Sequence, residues 1–396
     1  MAVDKSTDIM DEEKGRASGA NAEMLGVKRV CGWRRVASRN RVPGAAIWLE
    51  ITVIALLVVM LYRQQHGPGC LSLAALGWGS TSARPNTTLP SFVFDYAPLV
   101  WLDEAEMYFP SDMYAQILNT SPRVNLTLIS NDTLPSPLNL ESLASLNKWG
   151  PNVFLTSKVD VTTIPAYLTG VVPSSTTGRT QNAISCSVIL SDHGNGLIDV
   201  FYMYFYAYNQ GNTVFGQELG DHIGDWEHNM IRFVNGTPQA IWYSQHGNGQ
   251  AFLYSVVEKS GKRPISYSAR GSHANYAIPG THDHTIPDLN LPAGLLQDYT
   301  SRGTLWDPAL SSYFYTYDIG SASFAAASEG SPLGAMEFVG KWGDAQYERG
   351  DRRQSEFFGF WKFVGGPTGP RDKQLGRVKV CPDNGILCIM RDRLGP

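Results

Sequence analysis

DVFYMYFYAY, residues 199–208, sets Tyr202, Tyr204, Tyr206 and Tyr208 on one side of an extended chain and Phe201, Met203 and Phe205 on the other. Successive side chains of a strand point to opposite faces, so a run that is apolar on both has no face for water. It is predicted to be a central strand of a packed sheet. Downstream, Glu227–Val234 and Gln239–Gln245 flank Asn235-Gly236, a pair suited to the positive φ angles of a hairpin turn. Phe252–Glu258 and Pro264–Ala269 flank Lys259-Ser260-Gly261-Lys262 as a second hairpin, and two hairpins in series predict an antiparallel meander. Helical pieces are expected at Ser111–Leu118 and Leu138–Asn147. The expected fold is therefore mainly β (α+β), an antiparallel β-sandwich with peripheral helices.

At 396 residues and 43% hydrophobic, the chain is long enough to bury a large core, and a formal net charge of -4 lacks the clustered positive charge of a nucleic-acid footprint. The charge is unevenly placed. Residues 1–44 are polar with nine Lys or Arg, which reads as a disordered basic tail. Ala45–Tyr62 then carries a single charge, Glu50, in eighteen residues, near the lower limit for crossing a bilayer. Basic residues crowd its N-terminal side, so the positive-inside rule predicts a type II signal anchor. Residues 63–91 read as a stalk and 92–396 as a lumenal or extracellular domain of the secretory or vacuolar system. Sequons at Asn86, Asn119, Asn125 and Asn131 follow the span and are expected to be glycosylated; Pro238 and the predicted turn argue against the one at Asn235. Cys381 and Cys388 are close enough for a small disulfide loop.

The stretch with candidate chemistry is Gly220-Asp221-His222-Ile223-Gly224-Asp225-Trp226-Glu227-His228. Alternation puts Asp225, Glu227 and Asn229 on one face and Trp226, His228 and Met230 on the other. Two carboxylates on one buried face call for a counter-charge, which a divalent cation could supply. His246 and His273 end the next strands and could converge there, while carboxylates facing water and structural histidines are the plain alternative. His282-Asp283-His284 reads as a solvated loop and Asp103, Glu104 and Glu106 as an exposed turn. No G-x-S-x-G elbow, phosphate-binding glycine loop or fixed-period repeat occurs.

The segments DYAPLVWL (95–102), FYMYFYAYNQG (201–211), GDHIGDWEHNMIRF (220–233), YSQHGNGQA (243–251), RPISYSARGSHANYA (263–277), GTLWDPA (303–309) and GKWGD (340–344) resemble the fungal vacuolar protein sorting-associated protein 62 family, over about residues 92–390. That resemblance implies a role in delivering proteins to the vacuole and no assigned chemistry. H-x-x-D-W-E followed by S-x-H-G is also similar to the signature of necrosis-inducing toxins, which implies a β-sandwich holding a divalent cation, calcium. By position the resemblance carries over to His222, Asp225, Glu227 and His246 as metal ligands, and sets Asn209 where that family has a ligand aspartate. Gly224 stands where those proteins have a second histidine, and both departures lower the expected affinity for a hard cation. The favoured reading is a non-enzymatic membrane-anchored domain binding a glycan, lipid headgroup or protein cargo. The alternatives are a metal-dependent hydrolase with Glu227 or His246 as base, and an adaptor in which the cluster is architectural.

Overall fold

The computed structural model describes residues 85–124, 126–283 and 296–395. The predicted tail 1–44, the span 45–62, most of the stalk 63–91, Asn125 and His284 lie outside the described residues, as does the Asn131 side chain. Among the described residues no helix is long and apolar enough to cross a membrane.

The chain is mainly β. An eight-stranded sheet runs in the order Ser323–Ala326 (β19), Ser312–Asp318 (β18), Cys186–Asp192 (β5), Leu197–Asn209 (β6), His222–Val234 (β9), Thr237–Gln245 (β10), Asn248–Leu253 (β11) and Met390–Arg391 (β22). The opening stretch of sequence lies at its centre, in β6, where Tyr202, Phe201, Met203 and Phe205 are all buried. A five-stranded sheet orders Lys259–Ser260 (β12), Arg263–Ser268 (β13), Leu99–Leu102 (β1) and Leu305–Trp306 (β17), with Asn275–Tyr276 (β14) also on β13. Thr127–Leu128 (β3), Thr120–Val124 (β2) and Val153–Ser157 (β4) make a small sheet, and Gly280–Asp283 (β15) pairs with Gln297–Thr300 (β16). Two short hairpins complete the set: Asn212–Val214 (β7) with Gln217–Leu219 (β8), and Glu356–Phe357 (β20) with Phe360–Trp361 (β21).

Each face of β6 feeds a different core. Phe201, Met203 and Phe205 pack with Trp226, Met230, Trp242 and Trp342. Tyr202, Tyr204 and Tyr206 pack with Val100, Leu102 and Trp306 of the five-stranded sheet. Burying a side chain of this size removes enough apolar surface to contribute roughly 1.5–3 kcal/mol each, so the two-faced strand organises the fold.

The Asn235-Gly236 hairpin forms, with φ of 49° and 75° at its two turn residues. The meander does not continue. After Leu253 the chain leaves the large sheet, and the second hairpin, β12–β13, belongs to the five-stranded one. Nor is the pairing wholly antiparallel: β18 pairs with β5, β1 with β13 and β11 with β22 in parallel. These partners are distant in sequence, where no tight turn dictates direction. The expected helices reduce to Met113–Asn119, capped by the Asp112 carboxylate on Ala115 N–H, and a 3-10 segment at Leu143–Trp149.

Candidate functional site

The site lies where β6 ends and β9 begins. The two strands run antiparallel with Asn209 opposite His222 and Tyr206 opposite Asp225. Alternation alone would send His222 to the Trp226 face, away from Asp225. Gly224 breaks it with φ +69°, and a Cβ there would lie 2.4 Å from the Trp342 carbonyl oxygen, so no side chain fits. The His222 ring folds back and its Nδ1–H donates to the Gly224 carbonyl at 2.7 Å. Burial holds this imidazole below its usual pKa despite the attraction of Asp225. The lone pair is therefore on Nε2, the arrangement that prepares a histidine to be a ligand. Asn209 donates Nδ2–H to the Gly220 carbonyl at 3.2 Å, while its buried Oδ1 has no donor.

The two carboxylates are engaged differently. Asp225 Oδ2 lies 3.1 Å from His273 Nδ1, and His273 Nε2 lies 2.9 Å from the Tyr108 carbonyl. Both ring nitrogens of His273 face acceptors, an arrangement that favours the imidazolium, and the buried ring stacks on Tyr206 at 3.7 Å. Burial works against both charges, but the contact with His273 keeps Asp225 below the usual carboxylate range, and Asp225 raises His273. Glu227 accepts from the Ser244 hydroxyl in a short contact and from His246 N–H at 2.9 Å. Burial, reinforced by the neighbouring Asp225, pushes Glu227 up to about 7. Burial would lower His246, yet Asp298, 3.6 Å from its Nε2, outweighs it and raises the imidazole to about 9. Asp298 also takes hydrogen bonds from Ser272 Oγ at 2.6 Å and Tyr276 OH at 2.7 Å.

The five residues named from sequence thus gather at one end of the sheet, but they do not converge on one point. Among the described residues no three His, Cys, Asp or Glu side chains form a metal centre. Glu227 is bonded at both oxygens and His246 faces Asp298. Asp225 is held by His273, which leaves Asn209 Oδ1 as the buried atom of the five without a donor.

Beside this cluster is a cavity of about 390 Å³. Asn209, His222 and His246 line one part of it, and Phe215, Phe358 and Trp361 line another. Phe215 and Phe358 are 76% and 87% exposed, each at the tip of a short hairpin. Each tip is a Phe-Gly pair with both φ angles positive: 49° and 77° at Phe215-Gly216, 50° and 85° at Phe358-Gly359. Asn or Asp usually fills that first position, and a bulky residue there carries strain of about 1–3 kcal/mol. Phe215 and Phe357 rings lie 6.2 Å apart, so the two hairpins are neighbours.

Sequence reasoning missed Asp298, which is 52 positions from His246 and marked by no spacing, and it missed the aromatic tips. The repeated Phe-Gly pair was the signal available. The acidic turn is corrected in part: Glu104 is exposed, but Asp103 and Glu106 are buried, where Glu106 accepts from the N–H groups of Met107, Tyr108 and Gly271, and Asp103 from Ala105 N–H and Ser301 Oγ. His282 is half-buried in β15, stacked 3.8 Å from Tyr276, not in a solvated loop. Cys381 and Cys388 are joined by a disulfide. Asn86 is exposed, whereas the Asn119 amide donates to the Ala115 carbonyl at 2.8 Å.

Residues 191–352 match the family model described as vacuolar protein sorting-associated protein 62. Vacuolar protein sorting-associated protein 62 of Saccharomyces cerevisiae is 34% identical over 326 residues, covering 76% of this chain and 69% of that protein. A second protein of that yeast, described as putative vacuolar protein sorting-associated protein TDA6, is 36% identical over 326 residues, covering 74% and 68%. Among solved structures, necrosis and ethylene inducing protein 2 from the agent of cocoa's witches' broom disease aligns over 50% of this chain and 71% of its own, at 12% identity and a TM-score of 0.24. Another, described as a toxin fold for microbial attack and plant defense, aligns over 65% and 83% at 12% identity and a TM-score of 0.29. With sequence identity above one third across most of both proteins, the chain belongs to the vacuolar protein sorting-associated protein 62 family.

Proposed function

We propose that this chain is a non-enzymatic, membrane-anchored binding domain of the secretory or vacuolar system, taking part in vacuolar protein sorting. Its eight- and five-stranded sheets act as a β-sandwich that presents the Asn209–His222 end to a lipid headgroup, with the expected type II anchor holding it lumenal. The observation that carries this reading is the distribution of polarity around the 390 Å³ cavity: exposed phenylalanines on two hairpin tips, polar Asn209, His222 and His246 in the same cavity. A lipid in a bilayer offers the matching sequence, a polar head that reaches the imidazole and amide while interfacial hydrocarbon meets the aromatic tips. A divalent cation, calcium by resemblance, would sit at Asn209 Oδ1, His222 and Asp225 and supply the charge that an anionic headgroup needs.

A metal-assisted hydrolase is the second reading, favoured by one observation, the Glu227 carboxyl raised to about 7, close to the working range of a general base. It ranks second because Ser244 and His246 occupy both Glu227 oxygens. The test is flotation of the full chain, held in nanodiscs, with anionic vesicles in calcium or chelator. Phe215→Ser with Phe358→Ser is expected to reduce vesicle capture at least about tenfold, since each exposed Phe brings roughly 1.5–3 kcal/mol on burial. Capture equal to that of the unaltered chain would refute the headgroup reading.

A further inference from the structure

The two hairpins that carry the exposed phenylalanines are too small to hold themselves. Strands β7, β8, β20 and β21 are two or three residues long, and no residue of 212–219 or 356–361 is buried. A lone two-stranded hairpin is marginal in water, and a bulky residue at positive φ persists only where its surroundings over-determine it. Phe215 and Phe358 are both such residues. Contacts outside each hairpin must therefore fix it.

The stems are joined through the backbone. Gly220 N–H donates to the carbonyls of Trp361 at 2.9 Å and Lys362 at 3.0 Å, Asp221 N–H to the Lys362 carbonyl at 2.7 Å, and Val364 N–H to the Asp221 carbonyl at 2.9 Å. Nearer the tips in sequence the link is made by side chains. Lys362, the residue after β21, donates from Nζ to Glu218 of β8 in a short contact and to Asp221 Oδ2 at 2.7 Å. Both carboxylates have further donors. Glu218 accepts from Gln210 Nε2–H at 2.6 Å, and the fully buried Asp221 accepts from the Tyr208 hydroxyl and Gly211 N–H, each at 2.8 Å. The Lys362 and Glu218 side chains are 24% and 28% exposed, so this ion pair is more shielded than an ordinary surface pair. One ammonium between two carboxylates also offsets the repulsion that would push β8 away from Asp221. Lys362–Glu218 is thus the polar tie between the hairpins, and the Phe215–Phe357 contact at 6.2 Å is the apolar one.

We infer that Lys362, by reaching Glu218, sets the spacing of the two Phe-Gly hairpins, so that Phe215 and Phe358 meet a bilayer as one rigid pair. The cavity is lined from both hairpins, by Val214 and Phe215 on one and by Phe357, Phe358 and Trp361 on the other, so the same spacing sets its width. Fixing both tips before contact lowers the ordering cost of binding, and the first tip to insert brings the second with it. Lys362 and Glu218 are positioning residues that act through the hairpins. The membrane consequence rests on the headgroup reading, whereas the clamp rests only on the contacts between the hairpins.

Glu218→Ala breaks the tie and leaves the Lys362–Asp221 pair in place, so the buried carboxylate keeps its cation. In the full chain, hydrogen exchange of the amides of residues 212–219 is expected to rise at least about fivefold, the scale set by losing one hydrogen bond that resists local opening, with thermal unfolding unchanged. Flotation of the full chain, held in nanodiscs, with phosphatidylcholine–phosphatidylserine vesicles in calcium should show capture lowered several-fold. Removing a negative charge would by itself favour these anionic vesicles, so a decrease reports positioning. In a Phe215→Ser chain the same substitution should lower capture no further, because the loosened hairpin has no ring to insert. A general weakening of the fold would lower it in both. Unchanged exchange, undiminished capture where Phe215→Ser diminishes it, or an equal further loss in the Phe215→Ser chain would overturn the inference. Faster exchange with capture that neither Phe215→Ser nor Phe358→Ser affects would support the clamp and refute the headgroup reading instead.

Discussion

The β6–β9 strand pair carries buried charge at both ends and treats it in opposite ways. At one end Asp199 faces Arg232 in register, and Arg232 donates from Nε at 2.8 Å and Nη2 at 2.7 Å, with His193 Nε2 at 2.9 Å. Burial would raise the Asp199 carboxyl, but Arg232 and His193 outweigh it and hold the group below the usual range. At the other end two carboxylates share the space with three imidazoles, Glu227 is raised, and Asn209 Oδ1 has no donor. The carboxylates at both ends are buried and belong to the same two strands. Buried charge alone therefore does not mark a site; groups left with unused bonding capacity do.

The largest effect expected from this contrast is at the closed end. Asp199→Ala strands Arg232 against the protein without its carboxylate and should cost about 3–5 kcal/mol in urea unfolding. Glu227→Gln, at the open end, should cost under about 1 kcal/mol above neutral pH, because folding already disfavours that ionised carboxylate. A loss below about 1 kcal/mol for Asp199→Ala would make the two ends alike and remove the distinction.

A smaller effect is expected from pH, with opposite signs at the two ends. Asp199, lowered on folding, contributes stability that is lost only as pH falls through the acid range. Glu227 and His246 are both raised on folding, to about 7 and about 9, so the folded state binds more protons than the unfolded one from about pH 4.5 to 9. Their contribution is present in acid and declines as pH rises. His222, His228 and His282, lowered by burial, act in the opposite sense below about pH 6.5. In chelator the Glu227 and His246 slope, on the order of 2–4 kcal/mol between pH 5.5 and 8.5 at 1.36 kcal/mol per unit of retained shift, is therefore read against the Glu227→Gln variant. Glu227→Gln should flatten the lower half of that slope. A stability difference between the unaltered chain and Glu227→Gln that stays constant from pH 5.5 to 8.5 would contradict the assignment.

The closed end was also the harder one to read in the sequence, for the same reason that it is stable. Asp199 and Arg232 are unremarkable residues in two strands, and only register makes them a pair. The open end announced itself because histidine, aspartate and glutamate crowd six positions, 222–227. The two-faced aromatic strand likewise located the sheet centre, since its composition leaves no solvated face. What could not be read was long-range closure. Gly224 looks like the loss of a histidine until Trp342 is seen against it, and Asp298 and the Phe358 hairpin reach the site through tertiary contact. Alternation and turn chemistry are local, whereas parallel pairings such as β5–β18 have no local signature.

The smallest expected effect is the most direct test of openness. Asn209 Nδ2 donates one hydrogen bond, to the Gly220 carbonyl, and its Oδ1 is buried with none. The bond made contributes about 0.5–1.5 kcal/mol and the one unmade costs about 1–3 kcal/mol, so the side chain adds almost nothing to folding. Asn209→Ala should thus shift urea stability by no more than about 0.5 kcal/mol, the size of an ordinary surface change, at a position that is 4% exposed. Calcium should still separate the two proteins: a thermal shift in the unaltered chain, reduced in Asn209→Ala, means that Oδ1 is spent on a ligand. A loss above about 1.5 kcal/mol without metal would mean that Oδ1 is already satisfied within the folded chain. The open end would then be as complete as the Asp199–Arg232 pair, with binding no longer needed to explain it.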